Sequence, residues 1–353
     1  MMTMRGELEG SSVFIRNVRE ASQTYSKGCF GYPLSGGFLE LDLVEAAFLL
    51  AHERLDVFDG KKKLTFAEIF EKASRLIDGF DIKYMVYRDL REGRGFIVKP
   101  GSGDYDFRVY ARGVLPSDAP PAYLVVAASE STPTDFSVFS GDAAGAEDMG
   151  KKLLYAVTDE EGDITYYRMG VVDPRGKYRC QKSDVHTTGS LVGDRVFVYD
   201  GLGADALRRE AFYGKEWGGV LQLSLIESCY LTACGELEVT DSFGKKLSVD
   251  DLKSIGRHTQ DGFGYRYKAY ADLRSRGLLV KAGFKYGTHF RLYEDDPNNC
   301  HARYLVHAVP ASTTAVWPEI SRIVRLSGGV RKEILFCRVG EDNEYLAFKW
   351  FKP

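Results

Sequence analysis

The sequence predicts an α+β protein built from two tandem homologous repeats. Three observations support this prediction. The chain contains an internal duplication, each copy has segments of helical periodicity near its start, and each copy ends in segments that alternate like strands. Each repeat is therefore expected to have a helical and β-hairpin N-terminal subdomain and a mixed-sheet C-terminal subdomain.

The duplication consists of matched segments that follow one another in the same order in both copies. Glu45 matches Glu227, and YLV at 123–125 matches YLV at 304–306. The other matched pairs are KKLTFAEIF (62–70) with KKLSVDDLK (245–253), YRDLREGRGFIVK (87–99) with YADLRSRGLLVK (270–281), and FRVY (107–110) with FRLY (290–293). Ordered matches over so much of the chain indicate duplication rather than chance similarity.

Three helices are expected in each copy. LDLVEAAFLL and its partner LSLIESCYLT have apolar residues at helical spacing. A second helix should begin after Thr65 or Ser248. Each of these residues is followed three positions later by an acidic residue, and such a pair resembles a capping box. KYMVYRDLREGR and YRYKAYADLRSR have the apolar i, i+3/i+4 pattern of a third.

A β-rich tail follows these helices in each copy. The first tail reads GFIVK, DFRVYA, AYLVVAA, LLYAVT and DITYYRM, and the second reads GLLVKA, HFRLYE, RYLVHAV, ILFCRVG and EYLAFKW. Their alternation and their β-branched or aromatic content favour strands. EISRIVRLSGGV (319–330) is predicted to be a helix between the last strand pairs.

The repeat pattern predicts the domain boundaries. Residues 1–173 form the first repeat, 191–263 the N-terminal subdomain of the second repeat, and 264–353 its C-terminal subdomain. The polar stretch 174–190 matches nothing in the repeats and is predicted to be a linker.

Composition excludes several classes of protein. A content of 44% hydrophobic and 27% charged residues is typical of a globular protein, and no apolar run is long enough for a membrane span. The N-terminus lacks the apolar region of a signal peptide, and the six cysteines include no CxxC. We therefore expect a cytoplasmic protein with reduced thiols and no membrane partner. The net charge of −3 means that any nucleic-acid site must be a local basic patch.

Such a patch is present in the second copy. Residues 265–293 contain seven Lys and Arg against one acidic residue, interleaved with five tyrosines. Basic side chains next to rings that can stack on bases suit RNA. Lys285 and Arg291 of this stretch are therefore candidate RNA contacts. The alternative is a solvated helix face over core tyrosines.

The two copies differ at one position that matters for chemistry. Tyr293 and Lys332 of the second copy match a tyrosine and Lys151 of the first copy, but His301 matches Pro120. A residue kept in only one copy indicates a functional site rather than a requirement of the fold.

These residues resemble the archaeal tRNA-splicing endonuclease family, in its form with two fused repeats per chain. The resemblance covers nearly the whole chain and is densest over 264–339, where KAGFKYGTHFRLY is followed by HARYLV and VRK. In that family the first repeat is a degenerate structural copy and the second is catalytic, with a nuclease-like C-terminal subdomain. The missing histidine at Pro120 agrees with this division.

The resemblance implies an RNA endonuclease that cuts precursor tRNA within a bulge–helix–bulge and leaves a 2′,3′-cyclic phosphate and a 5′-hydroxyl, with no metal and no cofactor. By motif position it implies that Tyr293 is the general base, His301 the general acid and Lys332 the electrostatic stabiliser. It also implies a clamp on a bulge base by Arg325 and a C-terminal residue, for which Trp350 is the candidate.

The resemblance further implies a homodimer, because one complete triad per chain cannot serve two cleavage sites. In the family, an acidic loop of the first repeat docks into a basic cleft of the opposing catalytic unit. The matching acidic residues here are Asp159, Glu160, Glu161 and Asp163. The alternative is a solvated hairpin tip.

Two other functions remain open from the sequence. One is a non-catalytic paralogue that binds structured RNA, against which the presence of His301 argues. The other is a metal-dependent nuclease of the restriction-enzyme type, which would need clustered carboxylates at a strand end.

Overall fold

A computed structural model describes residues 3–101, 103–178, 186–210 and 212–353 of the chain. Within them, each repeat contains an N-terminal subdomain with its own sheet, followed by a C-terminal subdomain with a mixed sheet and helices. The predicted α+β class and the two-repeat organisation are confirmed. None of the helices in the described ranges has the length and apolar character needed to cross a membrane.

The first N-terminal subdomain contains a six-stranded sheet whose strand order is β3-β4-β2-β1-β5-β6. Its strands are β1 (Met4–Glu9), β2 (Ser12–Ile15), β3 (Tyr32–Pro33), β4 (Leu39–Asp42), β5 (Leu55–Asp59) and β6 (Lys62–Lys63). Its helices are α1 (Val18–Ser26), α2 (Leu43–Ala51) and α3 (Phe66–Leu76). This subdomain therefore contains more β-structure than the helical and hairpin arrangement that the sequence predicts.

The first C-terminal subdomain contains strands in the order β7-β8-β9-β11-β12, and β9 and β11 are parallel. Its elements are α4 (Phe80–Arg88), β7 (Val98–Pro100), β8 (Phe107–Val109), β9 (Tyr123–Ser129), β10 (Thr134–Asp135), α5 (Phe136–Asp148), β11 (Lys152–Thr158) and β12 (Ile164–Val171). The sequence prediction missed α5.

The second N-terminal subdomain has the same topology as the first, with strand order β15-β16-β14-β13-β17-β18. Its strands are β13 (Thr187–Val192), β14 (Arg195–Val198), β15 (Lys215–Trp217), β16 (Val220–Ser224), β17 (Leu237–Thr240) and β18 (Lys246–Leu247). Its helices are α6 (Gly201–Asp205), α7 (Leu225–Cys234) and α8 (Val249–Thr259).

The second C-terminal subdomain contains strands in the order β19-β20-β21-β23-β24, and β21 and β23 are parallel. Its elements are α9 (Phe263–Ser275), β19 (Leu279–Ala282), β20 (Phe290–Tyr293), β21 (Tyr304–Pro310), β22 (Thr314–Ala315), α10 (Trp317–Gly329), β23 (Glu333–Val339) and β24 (Glu344–Phe351).

The helix caps form as the sequence predicts. Thr65 and Ser248 each accept a hydrogen bond from the backbone N–H three residues later, and the acidic side chain at that position bonds back to the cap. Glu45 and Glu227 close similar capping boxes and also accept hydrogen bonds from the backbone of Gly31 and Gly214. These carboxylates are buried, and their hydrogen bonds to backbone N–H groups satisfy both partners within the fold.

By its contacts the chain divides into two compact units. The first contains residues 1–170 together with 314–321 and 349–353, and the second contains 171–313 and 322–348. The first unit therefore includes two segments of the second repeat, so the compact units do not coincide with the repeats. The reason lies within that unit, where β22 pairs with β10 and the buried Trp317 ring lies 5.5 Å from Phe139 and 5.0 Å from Tyr167, centre to centre.

The predicted linker 174–190 ends earlier than expected. Its residues 179–185 lie outside the described part of the chain. Thr187–Ser190 belong instead to β13, because they pair in parallel with β17 over Leu237–Thr240 and the Thr187 side chain is buried.

Candidate active site

The strand pairing of the second C-terminal subdomain defines one edge of its sheet. Tyr304, which begins β21, pairs in parallel with Glu333, which begins β23. Leu292, near the end of antiparallel β20, also pairs with Tyr304. The end of β20 and the starts of β21 and β23 therefore lie at the same edge.

The three residues predicted to be catalytic are at this edge. Tyr293 is the last residue of β20 and is half-buried. His301 is exposed in the segment that leads into β21, and Lys332 is half-buried immediately before β23. Lys332 Nζ donates a 2.6 Å hydrogen bond to the carbonyl oxygen of Ala302, the neighbour of His301. The Lys332 side chain is thus bonded to the backbone next to His301.

A left-handed turn places Lys332 at the start of β23. Arg331 has a φ of 54°, and the Lys332 N–H donates to the Ser327 carbonyl at 3.1 Å, which ends α10. In the first repeat Gly150 has a φ of 65°, and the Lys151 N–H donates to the Ala146 carbonyl at 2.8 Å. Both repeats therefore have a left-handed residue before the matched lysine, although only the second repeat has the histidine.

A second tyrosine that the sequence analysis did not select contributes to the site. Tyr286 belongs to a 3₁₀ turn, Phe284–Tyr286, between β19 and β20, and its ring centre lies 5.9 Å from Lys332 Nζ and 5.0 Å from Lys285 Nζ. Burial alone would raise the pKa of Tyr286. Hydrogen bonds from Lys285 and Arg291 and the charge of Lys332 outweigh that effect, and the net result is a lowered pKa.

The predicted RNA contacts Lys285 and Arg291 both border this tyrosine. Lys285 is exposed, and the Arg291 guanidinium carbon lies 5.7 Å from the ring centre of Tyr293. Positive charge is therefore concentrated around Tyr286 and Tyr293.

The predicted base clamp consists of two exposed side chains. Arg325 is exposed on α10, and Trp350 is 59% exposed on β24. Trp350 is therefore not a core ring of this chain, and its role as a stacking ring or as an interface ring stays a prediction. The two residues belong to different compact units.

The acidic loop is the hairpin turn between β11 and β12. Asp159 is tied into this turn, because its Oδ1 accepts hydrogen bonds from the N–H groups of Glu161 and Asp163 at 3.0 and 2.9 Å. Glu160, Glu161 and Asp163 are exposed. Asp159 shapes the loop, and the other three residues present its charge.

Two carboxylates lie near the catalytic edge, and both are paired with one arginine. Arg303 contacts Glu294 at 3.2 Å and Glu333 at 3.3 Å. Over the described ranges, no group of three or more His, Cys, Asp or Glu side chains is arranged to hold a metal ion.

His289 and His307 have a structural role instead. Their rings stack with centres 4.4 Å apart, and burial lowers the pKa of His289 to about 3. His289 Nδ1 accepts a hydrogen bond from the Ala308 N–H at 3.0 Å, and Asp106 accepts the matching bond from Ala127 at 2.8 Å in the first repeat.

Comparison with known families matches all four subdomains. The model described as "tRNA intron endonuclease, catalytic C-terminal domain" matches residues 80–166 and 263–346. The model described as "tRNA intron endonuclease, N-terminal domain" matches residues 4–70 and 187–253.

Curated relatives are similar over nearly their whole length. A tRNA-splicing endonuclease of Methanosarcina mazei is 38% identical over 351 residues, which is 98% of each chain. Proteins of the same name from Methanococcoides burtonii and Haloferax volcanii are 35% and 32% identical. The alignments cover 96% and 97% of this chain and 97% of each relative.

The fold and the family matches together define a two-repeat RNA endonuclease. The chain belongs to the tRNA intron endonuclease family, and it is an endonuclease of tRNA splicing.

The two matched lysines give the first prediction. Replacing Lys332 with alanine should lower the single-turnover cleavage rate by about 10²–10³, because it removes a cation from the phosphate site. Replacing Lys151 with alanine should change the rate by no more than about twofold, since surface changes usually have small effects. Equal losses in the two variants, at unchanged melting temperature, would contradict the assignment of catalysis to the second repeat.

Proposed function

We propose that this endonuclease cleaves precursor tRNA at the intron boundaries of a bulge–helix–bulge, and that it leaves 2′,3′-cyclic phosphate and 5′-hydroxyl ends without a metal ion. The supporting observation is the placement of Tyr293, His301 and Lys332 at one sheet edge, with His301 present only in the second repeat. In this proposal His301 is the acid, Tyr293 is the base and Lys332 is the cation.

The reaction moves two protons. The 2′-hydroxyl gives its proton to the phenolate oxygen of Tyr293, which becomes a phenol, while the 2′-oxygen attacks the neighbouring phosphorus and the bond from phosphorus to the 5′-oxygen breaks. His301 gives a proton to that 5′-oxygen, which leaves as a hydroxyl. Histidine suits the role of acid because its usual pKa is close to neutral pH.

Lys332 stabilises the extra negative charge of the phosphorus centre. One of its three N–H donors is used by the Ala302 carbonyl, which leaves two for phosphate oxygens. Because that bond also fixes the ammonium group, little reorganisation is needed when the charge develops.

The active form is a two-fold dimer in this proposal. A bulge–helix–bulge has two related cleavage sites, and each chain has one complete triad, so two chains are needed for both. Charge supports a contact between chains. Residues 1–190 have 24 basic and 29 acidic side chains, a net charge of −5, and residues 191–353 have 23 and 21, a net charge of +2.

The proposed chemistry is tested by incubating the protein with an intron-bearing precursor tRNA in EDTA. We expect cleavage at both boundaries, with 2′,3′-cyclic phosphate on the upstream fragments and 5′-hydroxyl on the downstream fragments. Cleavage that requires added Mg²⁺, or products with 5′-phosphate ends, would contradict the proposal and favour the metal-dependent alternative.

The acidic loop gives a prediction about assembly. The triple variant Glu160→Lys, Glu161→Lys and Asp163→Lys should shift the protein from a dimer toward the 39.5 kDa monomer and abolish cleavage, because like charges would meet at the basic cleft. Asp159 is kept because it forms the turn. The mass is measured by light scattering.

A matched control is available in the corresponding hairpin of the second repeat. Glu341 and Asp342 are exposed between β23 and β24. The variant with lysine at both positions should remain dimeric and active. An active dimer of the triple variant would exclude the acidic loop as the contact.

A further inference from the structure

The turn that contains Tyr286 has a rigid backbone. The Tyr286 N–H donates to the Gly283 carbonyl at 2.8 Å, and the Gly287 N–H donates to the Phe284 carbonyl at 3.0 Å. Gly287 has a φ of 69°, and a Cβ at Gly283 would lie 2.4 Å from Thr288 Oγ1. Both glycines are therefore required by the backbone of the turn.

Phe284 is the first residue of this turn, and its ring is 91% exposed. A single exposed ring needs no special explanation by itself. Phe243, for example, is 93% exposed in the N-terminal subdomain of the same repeat. What distinguishes Phe284 is its position.

Phe284 is two residues from a ring that borders the catalytic lysine. Tyr286 lies 5.9 Å from Lys332 Nζ, and Lys285, between the two aromatic residues, is exposed. An exposed apolar ring next to an exposed ammonium group matches a nucleotide, which has a flat base and a charged phosphate.

The first repeat lacks all three side chains of this turn. Gly283 matches Gly101, and the residues that follow are Ser102, Gly103 and Asp104 in place of Phe284, Lys285 and Tyr286. The matching turn of the first repeat is one residue shorter, and its one ring, Tyr105, is buried, so this repeat has no exposed ring or cation there and also lacks the histidine. This difference is expected of residues that contact substrate and not of residues that only support the fold.

From these observations we infer that the Phe284 ring stacks on an unpaired nucleobase next to the cleaved phosphate, while Lys285 contacts the adjoining backbone. This inference rests on the proposed function. It assigns to the catalytic repeat a base contact in addition to Arg325 and Trp350. Stacking tolerates any base, so Phe284 contributes affinity and position rather than sequence recognition.

The test measures RNA binding by fluorescence anisotropy. The RNA is a bulge–helix–bulge with 2′-deoxy nucleotides at both cleavage sites, which lack the attacking hydroxyl. Phe284→Ala and Phe284→Leu should each weaken binding by about 5- to 150-fold, and Phe284→Trp should restore it, because only an aromatic face stacks. Phe243→Ala is the matched control and should bind like the wild type.

Abasic substitution at each bulge nucleotide identifies the base involved. At one position the loss of the base should weaken binding by the wild type but not by Phe284→Ala. Additive losses at every position, or wild-type binding by both Phe284→Ala and Phe284→Leu, would overturn the inference. A shift of Phe284→Ala to monomer would also overturn it, because the ring would then contact protein.

The inference and the proposed function fail in different ways. If wild-type protein cleaves unmodified bulge–helix–bulge RNA but the Phe284 variants bind normally, only the stacking contact is wrong. If wild-type protein does not cleave that RNA, the proposed function is wrong whatever the variants bind.

Discussion

The parallel pairing of β21 with β23 is the constraint on which the site depends. It places the segments before both strands at one edge of the sheet, and antiparallel β20 ends at that edge too. Tyr293 and Lys332 are 39 positions apart in the sequence. The pairing register of β20, β21 and β23 therefore determines where both residues lie. The hydrogen bond from Lys332 to the Ala302 carbonyl then fixes the lysine to the segment that contains His301. A slip in this register would separate the three predicted catalytic residues, since it would move each residue relative to the other two.

Duplication separates the requirements of the fold from those of the reaction. Both repeats keep a buried glutamate in the capping box, Glu45 or Glu227, and a left-handed residue before the matched lysine. In both repeats a side chain also accepts a hydrogen bond from the matching strand N–H, which belongs to Ala127 or Ala308. The acceptor is Asp106 in the first repeat and His289 in the second. The second repeat alone adds His301 and the turn with the exposed Phe284 ring, and the first repeat has the same strand order without either.

The sequence predicted the features that depend on local chemistry. Helix caps at Thr65 and Ser248 follow from residues three positions apart, and they are confirmed. Comparing the two copies selects Tyr293, His301 and Lys332, and their catalytic roles stay a prediction that the family resemblance implies. The N-terminal sheets and the start of β13 at Thr187 were not predicted, because strand pairing is decided by distant residues rather than by neighbours. Tyr286 was missed for a similar reason, since its relation to Lys332 exists only after β19 and β20 fold into a hairpin. Comparing FKY at 284–286 with SGD at 102–104 would have indicated it.

The central claim is that His301 protonates the leaving 5′-oxygen. It is tested most directly with RNA in which sulfur replaces that oxygen at the cleaved bond, because a thiolate leaves without an acid. His301→Ala should cleave ordinary RNA about 10²–10⁴-fold more slowly than wild type in single-turnover assays. It should cleave the sulfur-containing RNA at nearly the wild-type rate. An equal defect of His301→Ala on both substrates would contradict the account.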